Sequence, residues 1–97
     1  MNWLKSSTFR SPKWLRTVAA FPCVECGSTE TQAAHRNEGK GMGIKTDDCL
    51  TASLCPRCHA EIDQGKGMSR DERRAKIDGA ILKTITELAR AGRLEIK

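Results

Sequence analysis

Tyrosine is absent from this chain, and its only aromatic residues, two Trp and two Phe, all lie within the first 21 positions. The core beyond that point must therefore be aliphatic. Long apolar runs are also missing, and none approaches the roughly 20 residues that a membrane-spanning helix needs. The N terminus lacks the pattern of a secretory signal peptide. We therefore expect a soluble cytoplasmic protein with no membrane partner.

Size and cysteine usage restrict the class of protein further. A chain of 97 residues makes a single domain, 1–97, whose core is small enough that a metal or a disulfide often has to support it. Cysteine occurs five times, an odd number that does not suit a set of paired disulfides. Two Cys-x-x-Cys pairs without a secretion signal favour zinc binding in a reducing compartment.

Acidic residues are absent from the first twenty positions, which carry Lys5, Arg10, Lys13 and Arg16. The whole chain holds 17 Lys and Arg against 12 Asp and Glu, a formal net charge of +5. A second basic cluster follows at 66–76. This excess favours the phosphate backbone of a nucleic acid as a partner. A solvated basic surface is the alternative.

Capping patterns predict a helix near each end of the chain. Ser11 followed by Pro12 predicts a helix that begins there and runs to about residue 20. Ser69 and Glu72 form a capping-box pattern ahead of apolar residues spaced three and four apart, which predicts a long amphipathic helix within 69–92. That helix could pack on its own core or form a dimer seam, so both a monomer and a homodimer stay open.

The middle of the chain, 23–65, follows a basic segment at 1–22 and is rich in loops. Two short strands are predicted at 31–35 and 50–54, followed by a short helix at 57–64. The expected fold class is α+β.

The two Cys-x-x-Cys pairs are Cys23 with Cys26 and Cys55 with Cys58, separated by 28 residues. Each pair bends the backbone so that both sulfurs face one point, and the long gap lets the second pair close a tetrahedron from another element. We predict a structural zinc on these four thiolates. A disulfide, a redox Cys-x-x-Cys and an empty site are the alternatives.

Cys49 is the fifth cysteine. We place it in the second predicted strand beside Leu50, where a thiol usually acts as a small buried hydrophobe. It could instead replace one of the four zinc ligands.

The two histidines of the chain, His35 and His59, both lie within the cysteine framework. His59 and Asp63 are four residues apart, so on a helix their side chains share a face and can hold a divalent cation. His35 lies in a predicted strand, and a neutral imidazole is a suitable general base for activating water. The alternatives are that each histidine is a hydrogen-bonded structural group and that His59 and Asp63 make only a contact on the helix surface.

The section from Cys23 to Gly65 resembles the HNH endonucleases, also called His-Me finger or ββα-metal nucleases. The whole chain further resembles a small family of prophage-encoded proteins described as candidate nucleases. The motif elements are a cysteine knuckle, an Ala-His on the first strand, an Asp ahead of the second strand, a Leu-Cys-x-x-Cys-His run into a helix, and a ligand four residues on. Here they read Cys23 to Cys26, Ala34-His35-Arg36, Asp48, Leu54-Cys55-Pro56-Arg57-Cys58-His59, and Asp63.

This resemblance implies a zinc-stapled ββα-metal core flanked by an N-terminal helix and a long C-terminal helix. It also implies hydrolysis of DNA phosphodiester bonds with little sequence specificity. His35 would be the general base, and Asp48, or alternatively Asp47, would orient it. His59 and Asp63 would hold the catalytic ion.

Two positions depart from the family pattern. Ala34 stands where many members have a metal-binding Asp or His, so the ion would have fewer protein ligands. Asp63 in place of a final His favours magnesium or manganese over softer ions. Phosphate contacts are expected from four basic residues in the core section: Arg36, Lys40, Lys45 and Arg57.

Two other classes of function compete with the nuclease. A non-catalytic zinc module that binds DNA, or a phage or host protein, needs only the four cysteines and the basic surface. A thiol-redox protein is the weaker alternative, because no thioredoxin-like βαβ pattern accompanies the Cys-x-x-Cys pairs.

Overall fold

Helices and strands follow one another along the chain in the order that the sequence predicts: one helix, two strands and two helices. A computed structural model describes residues 9–36, 47–64, 67–94 and 96. Their α+β class is confirmed by three helices and one two-stranded sheet. The elements are α1 Pro12–Ala19, β1 Gln32–His35, β2 Thr51–Leu54, α2 Pro56–Gln64 and α3 Arg70–Arg90. Within this described part of the chain, no helix combines the length and the apolar character needed to cross a bilayer.

The helix starts follow the predicted caps. The Ser11 side chain accepts a hydrogen bond from the Trp14 N–H at 3.1 Å and begins α1. Ser69 and Glu72 form the full capping box, with each side chain bonded to the backbone N–H of the other. These caps satisfy N–H groups that the first helical turn leaves without partners.

The end of α3 is a Schellman turn built on Gly92. Gly92 has a φ of +72°, a left-handed conformation that costs glycine little. The Arg93 N–H donates to the Leu88 carbonyl and the Gly92 N–H donates to the Ala89 carbonyl, at 2.9 and 3.1 Å. This turn directs residues 93 and 94 back toward α1.

The sheet is an antiparallel pair in which His35 lies opposite Thr51 and Gln32 lies opposite Leu54. The outer edge of β2 is closed by other elements, since the Ser53 N–H donates to Thr84 of α3 and the Ser53 carbonyl accepts from the Val24 N–H, both at 3.0 Å. All four residues of β2 are buried as a result. A covered edge leaves no template for pairing with another strand.

The core lies between the sheet, α2 and α3, and three cysteines belong to it. Its other members are aliphatic, as the scarcity of aromatic residues predicts. The cluster contains Cys23, Ala34, Ala52, Leu54, Cys55, Cys58, Ile62, Ile77, Ala80 and Ile81. Because three of the four predicted zinc ligands lie inside this core, binding of a metal there would be coupled to folding.

Candidate functional site

The four predicted zinc ligands come together in the structure. Cys23 and Cys26 lie in the turn ahead of β1, Cys55 joins β2 to α2, and Cys58 lies in the first turn of α2. Their sulfur atoms all lie within 4.8 Å of one another, and the Sγ atoms of Cys26 and Cys55 are 3.6 Å apart. Ligands at the usual Zn–S distance in a tetrahedron would be about 3.8 Å apart. The cluster is therefore compatible with zinc binding.

The pKa values of these thiols differ within the cluster. Burial opposes ionisation of Cys23, but backbone N–H groups from Cys55, Cys26 and Glu25 outweigh it and lower its pKa to about 6. Burial and contact with the other three sulfurs raise the pKa of Cys58 to about 12. The thiolates of Cys23 and Cys55, whose pKa is also lowered, thus form more easily, while burial and then repulsion from its neighbours suppress ionisation of Cys58. A divalent cation would relieve that repulsion, because the thiolate is the form that binds metal.

Arg57 lies beside the cluster at the exposed start of α2. Negative charge on Cys26, and then on Cys58 and Cys55, raises the pKa of the Arg57 guanidinium. This arginine therefore compensates the thiolates, and the phosphate contact expected for it stays a prediction.

Cys49 lies in a turn before β2, so its expected place inside the strand is wrong. The chain reverses there because the Leu50 N–H donates to the Asp47 carbonyl at 3.0 Å. Burial, followed by the charge of Asp47, raises the pKa of the half-buried Cys49 thiol. The four-sulfur cluster does not include it.

His35, the last residue of β1, is hydrogen-bonded to Asp48 in the turn before β2. Its Nε2 lies 3.0 Å from Asp48 Oδ1, and the His35 side chain is 37 % exposed while that of Asp48 is 4 % exposed. The imidazole therefore has one edge against a buried carboxylate and another open to solvent. Asp47, the alternative partner, instead accepts the Phe9 N–H at 3.0 Å.

Asp48 is held in its charged form by three donors, two from the adjacent residues Arg10 and Ser11 and one from His35 in β1. Oδ1 accepts from His35 and from Arg10 Nη1 at 3.0 Å, and Oδ2 accepts from the Ser11 N–H at 2.7 Å. The hydrogen bond from His35 and then that from Ser11 lower the pKa of Asp48 below its ordinary value of 3.8. Since an ionised carboxylate can only accept, Nε2 of His35 carries the proton and Nδ1 of the neutral ring keeps a free lone pair.

His59 and Asp63 form a second pair, on successive turns of α2. His59 Nε2 is 3.1 Å from Asp63 Oδ2, and the two side chains are 27 % and 33 % exposed. On its other side, His59 Nδ1 is 2.9 Å from the amide nitrogen of Gln32 in β1. The His59 ring is therefore oriented by two polar contacts, one with Asp63 and one with Gln32.

The two pairs lie at opposite ends of β1, because Gln32 begins the strand and His35 ends it. Three residues of strand span about 10 Å. Among the described residues, the four cysteines are the one group with three or more candidate ligand atoms close together, so His35, His59 and Asp63 do not share a compact site.

Two neighbours of His35 have structural contacts. Ala34 is completely buried in the core and offers only a methyl group. The Arg36 guanidinium binds Asp78 of α3 through two hydrogen bonds of 2.6 and 3.1 Å, which ties the end of β1 to the long helix. Its expected phosphate contact would compete with this pair. Lys40, Lys45 and the glycines at 39–43 lie outside the described residues.

Sequence reasoning missed three contributors to these pairs: Arg10, the Ser11 backbone and Gln32. Arg10 was visible only as one basic residue in an acid-free segment, and Ser11 only as a helix cap. Gln32 had one available signal, a polar residue at the start of a short strand that is otherwise apolar up to His35.

Comparisons with known proteins give a family without an assigned activity. No match is found among curated proteins or among solved structures. A family model described as "Protein of unknown function (DUF968)" matches residues 1–75, which include α1, both strands, α2 and the start of α3. The chain belongs to this DUF968 family.

Proposed function

We propose that this chain is a metal-dependent endonuclease of the HNH type, with a ββα-metal core, that hydrolyses DNA phosphodiester bonds. The observation that carries the proposal is the hydrogen bond between His35 and the buried, ionised Asp48. A histidine oriented in this way at a solvent-facing strand end is the arrangement that general-base catalysis needs.

The tautomer of His35 suits a general base. With Nε2–H bonded to Asp48, Nδ1 is available to take a proton from water as the water oxygen bonds to phosphorus. The bond from phosphorus to the leaving oxygen breaks in the same displacement, and the leaving oxygen takes a proton from solvent. The Asp48 carboxylate stabilises the imidazolium that results, and Arg10 and Ser11 keep that carboxylate in place.

His59 and Asp63 fit a hard divalent cation as partial ligands. Adjacent ligands of an octahedral ion with bonds of about 2.1 Å lie about 3.0 Å apart. The separation between His59 Nε2 and Asp63 Oδ2 is 3.1 Å. A metal on Nε2 requires the proton on Nδ1, so Gln32 would present its amide oxygen there after a flip of the side chain.

Magnesium or manganese held by His59 and Asp63 would supply positive charge for the phosphate oxygens. Phosphate contacts from Arg57, Lys40 and Lys45, with Arg36 if it leaves Asp78, would position the strand without reading bases. The order of elements supports the same proposal, since an antiparallel β1–β2 pair leads directly into α2 through the cysteine cluster.

The test is nicking of a supercoiled plasmid by zinc-loaded protein with magnesium or manganese. We expect His35→Ala to reduce the rate by about 10²- to 10⁴-fold, the usual contribution of a general base. Asp63→Asn should reduce it also, and higher metal concentration should restore part of the loss because the ion is bound more weakly.

Glu61→Gln is the matched control for Asp63→Asn, because Glu61 is an exposed acid on the same helix. It should nick at the wild-type rate. Zinc content and circular dichroism must be unchanged in all three variants. Equal nicking by His35→Ala and wild-type protein would refute the proposal. DNA binding without any metal-dependent cutting would favour the non-catalytic zinc module instead.

A further inference from the structure

A cavity of about 340 Å³ lies between α1 and the Schellman turn that ends α3. Leu88 and Leu94 are its apolar lining residues from the C-terminal side, and Leu88 is completely buried. Trp14 and Thr17 line it from α1. The volume falls at the lower end of the range for small-molecule sites and suits one nucleotide unit.

Two cations and one indole give this cavity its chemical character. Lys13 and Arg93 line it and are both exposed, and none of its described lining residues is acidic. The Trp14 ring is half-buried and is held by the Phe9 ring, whose centroid is 6.0 Å away at an angle of 86°. An aromatic surface beside positive charge is the combination that binds a nucleobase and its phosphate.

Ser11 connects this cavity to the candidate catalytic pair. The residue lines the cavity, and its N–H donates to Asp48 Oδ2 at 2.7 Å. Asp48 in turn holds His35. A strand whose phosphate lies at His35 would therefore reach the cavity by continuing past the start of α1.

We infer that this cavity is a nucleotide subsite for single-stranded DNA, in which a base stacks on Trp14 while Lys13 and Arg93 contact the flanking phosphates. The inference rests on the proposed nuclease function and names its substrate as an unpaired strand. Unpaired bases are required because a base within a duplex cannot present its face to an indole.

The experiment measures binding of a fluorescein-labelled thymidine hexanucleotide to zinc-loaded His35→Ala protein without added magnesium, so that cutting does not interfere. Trp14→Leu should weaken binding by roughly five- to 150-fold, the effect of losing one base-stacking contact. Trp14→Phe, which keeps a ring, should restore part of it. Lys13→Gln and Arg93→Gln should each lower the salt dependence of log K by about 0.7 per lost phosphate contact.

Arg16→Gln is the matched control for the cation variants, since Arg16 is an exposed base on α1 outside the cavity lining. The inference predicts a smaller change for Arg16→Gln than for Lys13→Gln. Equal effects from both, or unchanged affinity in Trp14→Leu with its circular dichroism intact, would overturn the subsite. Tighter binding of a stable hairpin duplex than of the hexanucleotide would overturn it as well. These readouts need no cleavage, so a failed nicking assay and a failed subsite are distinguishable.

Discussion

Replacing Cys55 by Ser removes one thiolate from the four-sulfur cluster and should unfold much of the domain. Cys55 is 5 % exposed and joins β2 directly to α2. Its sulfur accepts the Cys58 N–H at 3.4 Å and lies 3.6 Å from that of Cys26. A serine hydroxyl at this position is a poor zinc ligand and a buried polar group.

The expected loss of stability can be worked out from the length of the loop that a metal on the four cysteines would close. Residues 23 to 55 form a loop of 33 residues, and a cross-link of that length restricts the unfolded chain by about 3.7 kcal/mol. A domain of this size is stable by about 5–15 kcal/mol in total. At about 4–8 °C per kcal/mol, the lost cross-link alone should lower Tm by roughly 15–30 °C.

The assay is thermal unfolding by circular dichroism, together with metal analysis of the purified protein. We expect wild-type protein to carry one zinc per chain and Cys55→Ser to carry much less and to melt far lower. Cys49→Ser is the matched control, because Cys49 is half-buried and outside the cluster. Folded wild-type protein without zinc, or a Cys55→Ser variant that melts within about 5 °C of wild type, would refute the reasoning.

Two further predictions concern hydrogen bonds that the sequence did not reveal. The pKa of Asp48 is lowered in the folded state, so its contribution to stability is present above its ordinary value of 3.8 and is lost as pH falls through the folded pKa. In Asp48→Asn, the free energy of urea unfolding should therefore fall less steeply as the pH is lowered. The same pH dependence in the variant and in wild type would contradict this. Thr84→Val should cost about 1–3 kcal/mol in urea unfolding because it leaves the buried Ser53 N–H without its acceptor, whereas Thr86→Val, at an exposed site on the same helix, should stay within about 0.5 kcal/mol. Equal costs for the two threonine variants would show that the Ser53 contact is not the cause.

Local signals were sufficient to predict the elements. The Ser11-Pro12 start, the capping box at Ser69 and the stop at Gly92 each act within one helical turn, so neighbouring residues decide them. The four-cysteine cluster was also predictable from local signals, because each Cys-x-x-Cys turn by itself directs its two sulfurs toward one point.

Contacts between distant residues could not be predicted in the same way. Arg10 and Asp48 are 38 positions apart, and Arg36 and Asp78 are 42 apart. Each pair depends on how α1 and α3 pack against the sheet, which residue spacing does not encode. For that reason the sequence does not predict that Arg10 binds Asp48. It also does not predict that Arg36, a candidate phosphate contact, binds Asp78 of α3.

The dependence of Asp48 on residues 10 and 11 has a practical consequence for trimming the chain. A version that starts after Ser11 would retain all five cysteines and both histidines, yet it would delete two of the three donors that grip this carboxylate. A shortened chain meant to keep the His35–Asp48 pair in place should therefore include residues 10 and 11, well upstream of the first cysteine pair.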